Sequence, residues 1–298
     1  MPLTRRAALA AGLAAGAFGT ATLRAPVARA QDATPTAEPV APPQALLPPQ
    51  PEGQEGQTVS INGADIYYEV YGDGKPVVLI HGGLGNGDYW VNQIQPLVDA
   101  GYQPIVMDSR GHGRSSFDEQ TISYKLMASD VIGLMDHLGI DKADLIGWSD
   151  GGIIGIELAI SQPERMNRIV AYGANVDPTG VRLDVGTNDY FNAYIEAAAA
   201  DYQQIAPAPE RWDEFLTNIS TMWATEPNYP DAQLETITTP ILILDGANEE
   251  AIDLNQTKWM ALVIPSAELL IMPDTGHFAM MEQPDEFNRI VLEFLGGE

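Results

Sequence analysis

Gly147-Trp148-Ser149-Asp150-Gly151 follows the apolar run Ala143 to Ile146 and opens a second, Ile153 to Ile160. That pattern reads as strand, sharp turn and helix, the context of a nucleophile elbow. A serine in such a turn has its hydroxyl pushed out at the top of a sheet, and glycines two residues away on either side remove the clashes this causes. A serine hydroxyl is a poor nucleophile at neutral pH, so the chemistry needs a base within hydrogen-bond reach and an acid that orients the base. Of four histidines, His81 and His112 open or sit in Gly-rich loops after strands, His137 lies in a helical pattern, and His277 stands in Thr275-Gly276-His277-Phe278. In the serine, acid, histidine order that goes with this elbow, only His277 is placed to be the base.

The elements that must carry these residues read as an alternation. Thr58 to Ile61 and Ala64 to Val70 flank Asn62-Gly63, a two-residue hairpin signal. Six continuous apolar runs follow: Val77 to Ile80, Pro104 to Met107, Asp144 to Ile146, Arg168 to Tyr172, Ile241 to Leu244 and Glu268 to Met272. Runs without polar alternation suit buried parallel strands. Helical patterns at Ser123 to Leu138, Asp150 to Ser161, Asn255 to Ile264 and Pro284 to Phe294 predict an α/β layered sheet. Asp177 to Thr236 has helix-forming stretches, Tyr190 to Ala200 and Arg211 to Trp223, but no strand run, and reads as a helical cap. Of its aromatics Tyr190, Phe191, Tyr194, Trp212, Phe215 and Trp223, a minority is expected in the substrate pocket.

Ahead of this domain, Arg5 and Arg6 precede an uncharged stretch from Ala7 to Leu23, and Ala28-Arg29-Ala30 offers small residues for cleavage. Residues 1–30 therefore read as an export signal, not a membrane anchor. Thr4-Arg5-Arg6 with Leu9 resembles a twin-arginine motif, with Ala8 in place of a larger apolar residue, and a general secretory signal is the alternative. Gln31 to Gln57, crowded with Pro, Ala, Gln and Glu, is expected to be a disordered tether before a domain spanning residues 58–298. The absence of cysteine rules out disulfides, thiol catalysis and Cys-based metal sites. The formal net charge is −26, and losing residues 1–30, with four Arg and no acid, takes it to −30. Nucleic acid and anionic membranes are poor partners for such a surface, and the oligomeric state is left open.

From about Thr58 onward the chain resembles the α/β-hydrolase superfamily, through His81-Gly82-Gly83, Gly111-His112-Gly113-Arg114-Ser115, the serine elbow and Gly276-His277-Phe278. The resemblance implies an eight-stranded, mostly parallel sheet flanked by helices. It also implies an acid three residues beyond the glycine ending the seventh strand, where this chain has Glu249 in place of the usual aspartate. Glu250, Asp245 and Asp177 stay open as alternatives. Implied oxyanion donors are the backbone N–H groups of Gly83 and Asp150. A dinucleotide fingerprint fails because Asp88 occupies its third glycine position, and P-loop and HExxH motifs are absent, so no cofactor or catalytic metal is expected.

Gly147-Trp148-Ser149-Asp150-Gly151-Gly152 and Tyr172-Gly173-Ala174-Asn175 look like the biphenyl-hydrolase-like group that includes valacyclovir hydrolases, cleavers of amino-acid esters. The expected activity is ester hydrolysis through an acyl-enzyme. The alternatives are a lactone, amide or carbon-carbon substrate, a perhydrolase or hydroxynitrile lyase on the same fold, or a silent ligand-binding protein. Asp150 could meet a cationic amino group on the acyl part of a substrate, or simply complement the helix dipole.

Overall fold

The computed structural model describes residues 41–49 and 56–297; the expected export signal lies outside them. Eight strands form one sheet: β1 (Gln57–Ile61), β2 (Ala64–Val70), β3 (Lys75–Ile80), β4 (Tyr102–Met107), β5 (Ala143–Trp148), β6 (Met166–Tyr172), β7 (Ile241–Gly246) and β8 (Ala267–Met272). Their spatial order is β1-β2-β4-β3-β5-β6-β7-β8. The pairs β1–β2 and β2–β4 are antiparallel and the rest parallel. Asn62 and Gly63 both have positive φ, 47° and 84°, the backbone that a two-residue hairpin requires. Every residue of β5 and β7 is buried, as their unbroken apolar runs imply. The last run differs: β8 is an edge strand whose Glu268 and Leu269 are exposed.

The helices are α1 (Val91–Asp99), α2 (Tyr124–His137), α3 (Asp150–Ser161), α4 (Asp189–Ile205), α5 (Trp212–Thr225), α6 (Asp231–Leu234), α7 (Leu254–Val263), α8 (Ala279–Glu282) and α9 (Pro284–Gly296). Right-handed crossovers put α1, between β3 and β4, and α3, between β5 and β6, on opposite faces of the sheet. Helix α1 is absent from the helical patterns read in the sequence, and Pro96 lies inside it. A proline there leaves the Asn92 carbonyl without its helical donor. Asn288 of α9 supplies one, its Nδ2 donating to that oxygen at 2.9 Å.

Chain order reverses between β3 and β5, and the crevice beyond the carboxyl ends of two such strands is where open α/β sheets place their sites. The loop with Gly82 and Gly83 leaves β3 there, and Ser149 leaves β5 beside it. The elbow closes so tightly that a Cβ on Gly147 would lie 2.1 Å from the Gly151 carbonyl oxygen, and one on Gly151 would lie 2.0 Å from that of Ile80. Helices α4 to α6 lie between β6 and β7.

Part of the expected tether departs from disorder. Residues Pro43–Leu46 form a 3-10 turn, Pro43 is buried, and Gln44 Nε2 donates to Tyr89 Oη and the Tyr194 carbonyl, both at 3.1 Å. The turn thus touches both the segment between β3 and α1 and helix α4, contacts that a reading of local composition does not contain.

Candidate active site

Ser149 sits between β5 and α3 with φ 53° and ψ −117°. A non-glycine residue held there stores about 1–3 kcal/mol of backbone strain. Its N–H donates to the Tyr172 carbonyl at 2.7 Å, which ties the elbow to the end of β6. His277 follows β8, buried, and its N–H donates to Glu250 Oε2 at 2.6 Å. Its Nδ1 lies 2.7 Å from Glu249 Oε1. The N–H is not aimed along that line, so by angle Nδ1 has no hydrogen bond. By distance Glu249 is the carboxylate that meets the ring, and such bonds are often poorly aligned before substrate binds and tighten afterwards.

Glu249, the third residue past Gly246, is buried, and its Oε1 also accepts from the N–H groups of Ala251 at 2.7 Å and Ile252 at 3.0 Å. Burial pushes its carboxyl up to about 7, against the hydrogen bonds that favour its charged form. Burial lowers His277 from its ordinary value, while the carboxyls of Asp245, Glu250, Asp150 and Glu282 pull the other way.

The other carboxylates considered for the acid stand elsewhere. Glu250 holds the His277 backbone, not its ring. Asp177 caps the turn Pro178–Gly180 and accepts from Thr179 N and Gln256 Nε2, both at 2.8 Å. Asp245 lies behind Glu249, wholly buried, accepting from Gly246 N at 2.9 Å and Thr257 Oγ1 at 2.6 Å. The remaining histidines hold loops and strands. His81 Nε2 accepts from Ser109 N at 3.0 Å and burial lowers it to about 4, His112 Nδ1 meets the Arg110 carbonyl at 3.1 Å, and His137 Nε2 meets Tyr68 Oη at 3.2 Å.

Ser149, His277, Gly83 and Asp150 line one cavity of about 90 Å³. Neither Gly83 N–H nor Asp150 N–H donates to another group among the described residues, which leaves both available to an oxyanion. The Asp150 carboxylate accepts from Tyr124 Oη at 2.8 Å and Trp223 Nε1 at 3.0 Å, and burial raises it to about 6. Phe191, Tyr194 and Trp223 of the cap face the cavity, half of the six aromatics rather than a minority. Trp212 and Phe215 pack with Tyr202 instead, and Tyr190 packs on Phe278.

Two residues that the sequence reading quoted only in a strand run and a resemblance also shape the site. Tyr172 Oη donates to the Gly276 carbonyl and accepts from Ala279 N at 2.8 Å, bracketing the His277 loop. Its place at the end of a strand opposite the serine elbow was the available signal. Gly173 has φ +60°, and a Cβ on it would lie 2.9 Å from His277 Nδ1. The ring can occupy its place only because that side chain is missing.

Residues 77–290 match the model of the alpha/beta hydrolase family. The chain belongs to that family. It is 29% identical over 266 residues to a 2-hydroxy-6-oxo-6-phenylhexa-2,4-dienoate hydrolase of Comamonas testosteroni, covering 77% of this chain and 91% of that one. The meta-cleavage product hydrolase of Pseudomonas fluorescens IP01 superposes with a TM-score of 0.70 at 26% identity, over 81% of this chain and 97% of that one. A thermophilic esterase from Thermogutta terrifontis superposes with a TM-score of 0.66 at 25% identity, over 82% and 98%. These likenesses agree with the expected fold and superfamily, and the chain is a hydrolase of that superfamily.

Proposed function

We propose that this chain is an exported serine hydrolase that cleaves a carboxylic ester, or a related acyl bond such as a lactone or amide, of a small molecule. The observation that carries the reading is the strained Ser149 sharing a cavity with His277, whose Nδ1 meets Glu249 at 2.7 Å. His277 takes the Ser149 hydroxyl proton at Nε2 as Oγ attacks the substrate carbonyl, and Glu249 holds the ring and stabilises the imidazolium. The N–H groups of Gly83 and Asp150 receive the oxyanion. The tetrahedral intermediate collapses as His277 returns the proton to the departing alcohol. Water, deprotonated by the same nitrogen, then attacks the acyl-enzyme and the carboxylic acid leaves.

Carbon-carbon hydrolysis of a dienoate, after the Comamonas relative, is the second reading. The pocket speaks for the first. Its charged side chains include the carboxylates of Asp150 and Glu226, and neither Lys nor Arg lines it among the described residues. A substrate carrying its own carboxylate would meet like charge there, whereas a neutral or cationic acyl group would not. Among the described residues the Asp150 carboxylate has the neutral hydrogen-bond partners Tyr124 and Trp223, so a cationic amino group would give it a full charge partner.

A panel of p-nitrophenyl, amino-acid and dienoate substrates tests the choice. Turnover of the esters with the dienoate untouched supports it; turnover of the dienoate alone overturns it. Equal loss of charged and neutral esters in Asp150→Ala would remove the amino-group role. For export, the expected result is a mature chain lacking residues 1–30 outside the cytoplasm, and an uncleaved cytoplasmic chain would refute it.

A further inference from the structure

The acyl-transfer reading uses one carboxylate, yet two are buried together behind His277. Asp245 at the end of β7 is wholly inaccessible, and its carboxyl lies close enough to that of Glu249 for each to shift the other. Among the described residues neither takes part in an ion pair with Lys or Arg. Two buried carboxyls in contact cannot both ionise, so they share a proton.

The donors around the pair say where that proton goes. Ala251 N, Ile252 N and His277 Nδ1 all converge on Oε1 of Glu249. Oε2 is buried and has no hydrogen-bond partner among the described residues. Asp245 meets one fixed donor, Gly246 N, and the Thr257 hydroxyl, which can turn from donating to accepting. The fixed donors therefore favour charge on Glu249 and leave Asp245 to carry the proton.

We propose that Asp245 is a positioning residue whose protonated carboxyl donates to Glu249 Oε2, pinning the longer glutamate side chain so that Oε1 meets the His277 ring. Aspartate in that place would need no such support, since it has one fewer methylene to immobilise. Burial raises both carboxyls, Asp245 well above the ordinary range. The other groups facing the cluster are Glu250, Tyr172 and, at longer range, Arg182 on the carboxyls, with Asp150 and Glu282 on His277.

This role rests on Ser149, His277 and Glu249 being a working hydrolase site, so its test needs a readout that survives failure of that reading. Wild type, Asp245→Asn and Asp245→Ala are compared as full chains. An amide can donate the same bond without titrating, so Asp245→Asn should keep most of kcat and the position of the acid limb. Asp245→Ala should lose about tenfold in kcat with little change in KM. Its acid limb should move to higher pH, because removing a donor raises the carboxylate it served. Equal damage in both variants, or none in Asp245→Ala, overturns the proposal.

Infrared difference spectra between wild type and Asp245→Asn at about pH 8 need neither turnover nor the alanine variant. A protonated carboxyl band present in wild type and lost in Asp245→Asn supports the shared proton, and its absence from wild type refutes it. Absence of ester turnover with that band present would sink the hydrolase reading and leave the pair intact.

Discussion

The wall of the cavity that holds His277 is built from short polar contacts, whereas the cap wall is built from packed aromatic rings. Glu249, Glu250 and Tyr172 each meet the His277 loop at fixed atoms. Across the cavity, Tyr194 packs on Trp148 and Phe278 at centroid distances of 5.6 and 5.0 Å. Polar contacts fix an atom's position to tenths of an ångström, as proton transfer demands. Ring packing fixes volume and shape while tolerating exchange of one apolar group for another. On the proposed function the two walls divide the work, reaction on one side and selection on the other, and Asp150, beside Ser149, reaches the cap through Trp223.

Changes on the polar wall should cost turnover for every substrate. Ser149→Ala should lower kcat by about 10⁶-fold with the fold retained, and retained activity would remove the serine from the mechanism. Glu249→Gln leaves the volume but offers His277 an amide, with an expected loss of about 10⁴-fold in kcat. A loss under tenfold would show that another carboxylate orients the ring. In Gly173→Ala the new Cβ must displace the imidazole, and a misplacement of this size costs on the order of 10²-fold in kcat; an unchanged rate would mean that the ring moves freely.

Changes on the cap side should instead sort substrates. Asp150→Asn removes charge at constant size, and kcat/KM for esters with a cationic acyl group should fall about tenfold more than for neutral ones. The pH profile belongs to the polar wall. The working state needs neutral His277 with ionised Glu249, so lowering the pH through about 7, where burial has pushed Glu249, should extinguish the rate. A flat profile down to about pH 4 would contradict a histidine base.

Legibility in the sequence follows the same division. The hairpin, the buried strands and the serine elbow are local patterns, and their periods and glycines survive in one dimension. The family resemblance points to Glu249 by its distance from Gly246, whereas its contact with the His277 ring, which Glu250 and Asp245 lack, is visible only in the folded chain. Tyr124, Asp150 and Trp223 converge from three separate helices, and no spacing announces such a contact. Helix α1 escaped because Pro96 reads as a breaker until Asn288 is seen to complete it.

The central claim is that Ser149 is a nucleophile activated by His277. Labelling of the mature protein with a fluorophosphonate probe, beside Ser149→Ala, tests it most directly. The account predicts a covalent adduct in wild type that is absent from the variant; a folded wild-type protein that takes up no probe would contradict it and favour a ligand-binding role.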